Sequence, residues 1–253
     1  MAGKIYVVNV GSNASHNFCS PIFGDRTFEF IPIPEDRQLP STHGLEYRQL
    51  KSFYTPDQNL SEYLPESMAA ITAHSDPEFD TFTYGDNCDV NPRAMGMRGV
   101  NRGDFLLFIS RLQRWESGKP TERFGFYFIG YLHVEQVLKS VSESPSELEM
   151  ERFQANAHLR RAMSYESLWD NFWVFAGSSW SSRFYKAVPV TKDLCNEVFV
   201  TAGGMSWEWK ESRTDLQTIG SYTRTCRCAI DPSYPEGKIR ANILWDWIDK
   251  FSK

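Results

Sequence analysis

The segment His74-Ser-Asp76-Pro-Glu78-Phe-Asp80 sets one imidazole and three carboxylates at alternate positions. In an extended chain they share a face, and such a group can exchange protons or gather a divalent cation. The same residues also spell a helix start, with Asp76 as N-cap and Pro77 in the first helical position. In the helical run NAHLRRA, His158 and Arg161 stand one turn apart and can reach the same ligand, or can simply be surface charges. His16 lies in the small polar loop GSNASHNFCSP. If the fold gathers His74, Asp76, His16 and His158, they supply a catalytic acid–base site.

Other residues suit ligand binding better than proton transfer. Ser12, Asn13, Ser15 and Asn17 follow an apolar strand. Their small side chains both donate and accept, and they let a backbone approach a ligand closely. A plain surface turn uses the same residue types. From residue 91 to 114 there are five arginines and one aspartate, in a chain that is acidic overall. Arg98 and Arg102, beside Gly99 and Gly103, can fork onto phosphate oxygens or stand in water as ordinary surface charges. Trp115, flanked by Arg111 and Arg114, offers a ring for stacking on a base or for packing on a neighbouring loop. Cys226 and Cys228 make half of a metal motif with no second half near them. Walker, dinucleotide, nucleophile-elbow, kinase and deaminase patterns are missing, so the sequence points to no cofactor and no bound metal.

These residues need elements to hold them. The chain has 253 residues, of which 41% are hydrophobic, 23% charged and 15% aromatic. That is the balance of a folded globular protein with an aromatic-rich core. A net charge of −5 argues against sequence-blind duplex binding, so nucleic-acid contact is expected to be local and pocket-like. Five cysteines do not read as a disulfide framework, and neither a signal peptide nor a bilayer-spanning run is evident. The expectation is a cytoplasmic protein with no membrane partner.

KIYVVNV reads as a buried first strand, and IFGDRTFEFIPIPEDR as strand, turn and strand. DFLLFIS and FGFYFIGYLHVEQV are too apolar for surface strands, so residues 103–137 predict an antiparallel hairpin of a closed or nearly closed barrel with Trp115 in its connection. NFWVFAGSSW and RFYKAVPVT read as a further strand pair. SPSELEMERFQANAHLRRAM predicts a helix with a Ser146/Glu149 capping box. KIRANILWDWIDKF predicts an amphipathic helix with Ile239, Ile243, Leu244, Trp247 and Phe251 on its apolar face. The whole chain, 1–253, is expected to be one domain: a core at 4–38 and 100–192, a loop-rich elaboration at 40–98, and a C-terminal extension at 195–253.

The Gly-Asp turn, apolar strand, loop and Ile-Gly-Tyr strand resemble PUA-like barrels of the EVE and ASCH groups. A second resemblance covers more of the chain. SPIFGDRTFEFIPIPEDR, AHSDPEF, GVNRGDFLLFISRLQRW, FGFYFIGYLHVEQV and FAGSSW, in this order, resemble the nucleotide modification associated domain 3 family over roughly residues 5–190. Together they imply an α+β fold: a PUA-like mixed or antiparallel β-barrel with peripheral helices and a loop-rich insertion. The second resemblance implies a context, gene systems that modify DNA bases, and not a reaction. The expected function is binding of a nucleotide or modified base in an aromatic and polar pocket at the barrel mouth, by Ser12, Asn13, Ser15, Asn17, Trp115, Arg98, Arg102 and Arg161. The alternative is an enzyme of a base or nucleotide modification pathway that uses the His/Asp site. Expected partners are a nucleotide or modified nucleic acid and other proteins of the modification system, the latter through the ILWDWIDKF face.

Overall fold

Ile5–Val10 (β1) is β-branched and aromatic, and every side chain but that of Asn9 is fully buried. The computed structural model describes residues 3–12, 16–200, 207 and 226–253. After β1 come β2 (Ser20–Ile22), β3 (Ile33–Pro34), β4 (Ala73–His74) and β5 (Thr83–Asp86). They are followed by β6 (Phe105–Glu116), β7 (Lys119–Val141), α1 (Glu147–Phe153), α2 (Ala157–Ser164), β8 (Phe172–Gly177) and β9 (Ser182–Pro189). The remaining elements are α3 (Lys192–Val198), β10 (Cys226–Ile230) and α4 (Pro235–Phe251).

The architecture is mixed α+β. An eight-stranded sheet runs β10-β1-β6-β7-β8-β5, with β2 on β6 and β9 on β7. Its pairings are antiparallel except β1–β6 and β2–β6. Short β3 and β4 form a separate ladder.

The expected closed barrel is not found: among the described residues the strand path ends at β10 and at β5. The apolar strands have another cause. Alternate side chains of a strand point to opposite faces, and here both faces are covered. Ile5, Val7, Phe105, Leu107 and Ile109 pack with Leu194 and Val198 of α3 and Leu244 and Ile248 of α4. Tyr6, Val8, Leu106 and Phe108 pack on the other side with Phe28, Tyr84 and Met97. A strand buried on both faces reads as a continuous apolar run whether or not its sheet closes.

The hairpin of residues 103–137 is present as β6 and β7 in antiparallel register. Its connection is the two-residue turn Ser117-Gly118, both with positive φ (51° and 75°), the geometry that suits the strand twist. Trp115 is therefore not in the connection but inside β6, opposite Pro120. β7 is long enough to serve two neighbours. Its first part pairs with β6, and Val134–Val141 pairs with β8 in a ladder broken by two register shifts. β8 and β9 do not pair with each other as the sequence suggested: each lies against a different part of β7.

The stretch 144–163, expected to be helical, holds two helices. Glu149 takes the backbone N–H and hydroxyl of Ser146 to start α1, and buried Asn156 caps α2 by accepting the amide of His158 at 2.9 Å. α4 turns Ala241, Leu244 and Ile248 inward, and its Trp247 indole donates to the Pro189 carbonyl. The ILWDWIDKF segment thus packs largely within the fold, and Ile239, expected on the apolar face, is 61% exposed. No helix among the described residues is long and apolar enough to cross a membrane.

Candidate functional site

The β3–β4 ladder sets Ile33 opposite His74, and the amide of Glu35 donates to the Thr72 carbonyl. This brings the Glu35 carboxylate to 2.7 Å from His74 Nδ1, with both side chains nearly shut off from solvent. Two residues beyond His74, Asp76 accepts the Gly85 amide on both carboxylate oxygens, at 2.9 and 3.1 Å. Gly85 belongs to β5, which is fixed at the sheet edge by pairing with β8. His158 enters from the first turn of α2, held there by the Asn156 cap.

The result is a compact group. His74 Nε2 is 3.8 Å and His158 Nε2 3.6 Å from Asp76 Oδ2. The two imidazoles meet edge to face, with ring centroids 5.0 Å apart. One donor atom from each of the three residues lies within 4.8 Å of the others. The three residues are buried, at 7–8% exposure.

Burial dominates the electrostatics, because a low-dielectric surrounding disfavours the charged form. It lifts Asp76 well above the usual carboxylate range, only partly opposed by the Gly85 N–H. It also lowers His158 well below the usual histidine range, and the nearby His74 and Arg161 push the same way. Asp86, at the end of β5, is raised by its own burial and held back by the Asn87 amide and by His74. The group therefore holds a carboxyl that favours its proton beside an imidazole that favours being neutral.

Gly85 is required by this packing. A Cβ there would fall 2.6 Å from His158 Cδ2 and 3.0 Å from Asn156 Oδ1. Gly85→Ala is expected to cost about 1–3 kcal/mol, the usual range for overpacking, measured by urea unfolding. A variant as stable as the parent would show that His158 and Asn156 give way freely.

Of the acid–base residues expected from sequence, the fold gathers His74, Asp76 and His158. His16 is not in the group; its ring tilts against Phe18. Asp76 caps no helix, and the 74–80 segment is not an extended face: Glu78 instead closes a turn by accepting the amides of Asp80 and Thr81.

The expected ligand-binding residues are scattered. Ser12 is buried with no hydrogen-bond partner for its hydroxyl, and Asn17 is exposed. Asn13 and Ser15 lie outside the described residues. Trp115 is half-buried and packs edge-on against Tyr63. Arg98 is engaged with the carbonyls of Cys88 and Asp89 and with the Asp89 carboxylate. Arg161 is half-buried near enough to His158 to lower its proton affinity. Arg102 is exposed and borders an open cleft of about 380 Å³, together with Asp104, Phe105, His133 and Trp180. In that cleft Trp180 is 63% exposed and stacks on His133 at 5.1 Å.

Sequence reasoning missed Glu35, Gly85 and Trp180. Glu35 and Gly85 matter through residues distant in the chain, and no local pattern marks them. Trp180 had a signal, a tryptophan directly after the Gly-Ser-Ser that ends an apolar strand.

No curated protein and no solved structure matches the chain. A family model, nucleotide modification associated domain 3, matches residues 4–199, a span that runs from β1 through α3 and includes Glu35, His74, Asp76, Gly85 and His158. The chain belongs to the nucleotide modification associated domain 3 family.

Proposed function

We propose that the protein is an enzyme acting on a base or nucleotide, with His74, Asp76 and His158 as its reacting centre. The family links the chain to nucleotide modification. The step from association to catalysis is carried by one observation: two imidazoles and a carboxylate from two segments distant in the chain converge in a buried place. Groups whose surroundings move their proton affinities in opposite directions are the usual basis of acid–base chemistry near neutral pH. In this reading neutral His158 accepts a proton, the Asp76 carboxyl donates one, and Glu35 holds the His74 ring in place.

The test is incubation with a panel of nucleosides, nucleotides and oligonucleotides carrying natural and modified bases, with and without divalent metals and common group donors, followed by mass spectrometry. One substrate class is expected to change mass. No change across the panel would remove the enzyme reading.

A second reading, a nucleotide- or modified-base-binding protein, is favoured by the exposed Trp180 beside Arg102. The free face of the indole suits base stacking and the guanidinium suits phosphate. Trp180→Ala is then expected to weaken nucleotide binding by about 1–3 kcal/mol, read by fluorescence titration. Unchanged affinity would exclude the cleft as the binding surface.

A further inference from the structure

We propose that His74 Nε2, one carboxylate oxygen of Asp76 and His158 Nε2 bind a single divalent first-row transition-metal ion. The proposal rests on the reading of these residues as the reacting centre, and in the loaded protein Asp76 and His158 would serve as ligands and not as the proton donor and acceptor.

The distances are the first support. At 3.8 and 3.6 Å the two imidazole nitrogens are too far from Asp76 Oδ2 for hydrogen bonds. Ligand atoms about 2.0–2.1 Å from one ion lie roughly 3–3.4 Å from each other; the two Asp76–imidazole separations are within a few tenths of an ångström of that, and the imidazole nitrogens, within 4.8 Å of each other, would draw together as the ion enters. The three polar groups are buried, adjacent and mutually unbonded, an arrangement that a shared ion explains and a hydrogen-bonded cluster does not.

The surroundings are the second support. Ligating histidines commonly donate their other ring N–H to a carboxylate, which fixes the ring and raises its basicity. Glu35 stands at 2.7 Å from His74 Nδ1 in that role and leaves Nε2 for the ion. The Gly85 amide orients the Asp76 carboxylate through both oxygens. The Asn156 cap fixes the backbone from which His158 projects.

The donor set gives the class of ion. Magnesium and calcium take oxygen ligands, whereas two imidazoles and one carboxylate suit iron(II), zinc, cobalt(II) or manganese(II). Three protein ligands leave positions open, the mark of catalytic and not structural sites. A water or a substrate atom can take those positions. A cation here would also offset the crowding of Glu35, Asp76 and Asp86.

The experiment uses the full chain, free of any histidine tag and stripped with chelator, titrated with cobalt(II) and separately with zinc. One equivalent is expected to bind with a visible d–d absorption band, to be displaced by zinc, and to raise the melting temperature. Two paramagnetically shifted imidazole signals are expected in the NMR spectrum of the unmodified protein, which identifies the ligands even if variants fold poorly. His158→Gln should weaken binding at least 100-fold and Glu35→Gln 10–100-fold, while His43→Gln should leave it unchanged. No uptake at millimolar metal overturns the proposal. So does unaltered binding in folded His74→Gln and His158→Gln. Metal binding with no turnover leaves this site standing and removes the enzyme reading; full turnover in stripped protein does the reverse.

Discussion

His158→Gln is expected to lower turnover by about 10²–10⁴-fold, the range lost when a positioned acid–base group is removed. Glutamine nearly fills the imidazole's space and keeps a polar end, so α2 retains its cap and its packing. It cannot exchange a proton near neutral pH, and it ligates metal poorly. The loss should fall on kcat more than on KM, because His158 sits at the reacting centre and not in the Trp180 cleft. The measurement is product formation by mass spectrometry against the parent, with unfolding curves showing that the variant is intact. Activity within tenfold of the parent would remove His158 from the reacting centre.

The largest expected effect on stability lies elsewhere. Glu29 is 2% exposed; its carboxylate accepts the Phe53 amide and the Ser52 hydroxyl and faces Arg183 at 3.6 Å. The Arg183 guanidinium lies 3.6 Å from the centroid of the Phe53 ring and 4.9 Å from that of Phe28, and it donates to the Phe28 carbonyl. It fastens the segment after β2 and the following loop to the start of β9. Arg183→Met keeps much of the stacked volume but leaves a buried carboxylate without its cation. Breaking such a pair costs about 3–5 kcal/mol. Urea unfolding of Arg183→Met should show that loss, and adding Glu29→Gln should recover part of it. A loss below about 1 kcal/mol would mean that the Ser52 and Phe53 donors alone satisfy Glu29.

Strands were legible in the sequence where a residue's own type decides its conformation. β1, β6 and β7 are β-branched and aromatic runs, and the turn between β6 and β7 carries the glycine that positive φ favours. Closure of the sheet was not legible. The residues of β1 and β6 record that both faces are dry, but not whether a second strand layer or the α3 and α4 helices dry them. The elaboration at 40–98 shows no period because, apart from the four residues of β5, it is built from single 3-10 turns and a two-residue ladder, which obey neither the helical nor the strand repeat. His74, Asp76 and His158 stood out as chemistry-bearing types, yet their meeting depends on β5 joining the sheet and on Asn156 dividing the helix. Glu35 reads locally as one more acid after a proline; only the register of Ile33 opposite His74 gives it a role.

The position of β1 also shapes how the chain reaches this structure. β1 lies between β6 and β10, with Ile5 opposite both Phe105 and Ile230. On a ribosome adding about 5–20 residues per second, an emerged β1 waits several seconds for β6 and longer still for β10. During that time IYVVNV is an unpaired apolar edge of the kind that seeks other chains. Parallel pairing over so long a separation is also slow to nucleate. Recovery of native protein from a cell should therefore depend on growth temperature and chaperone supply more than its finished stability would suggest.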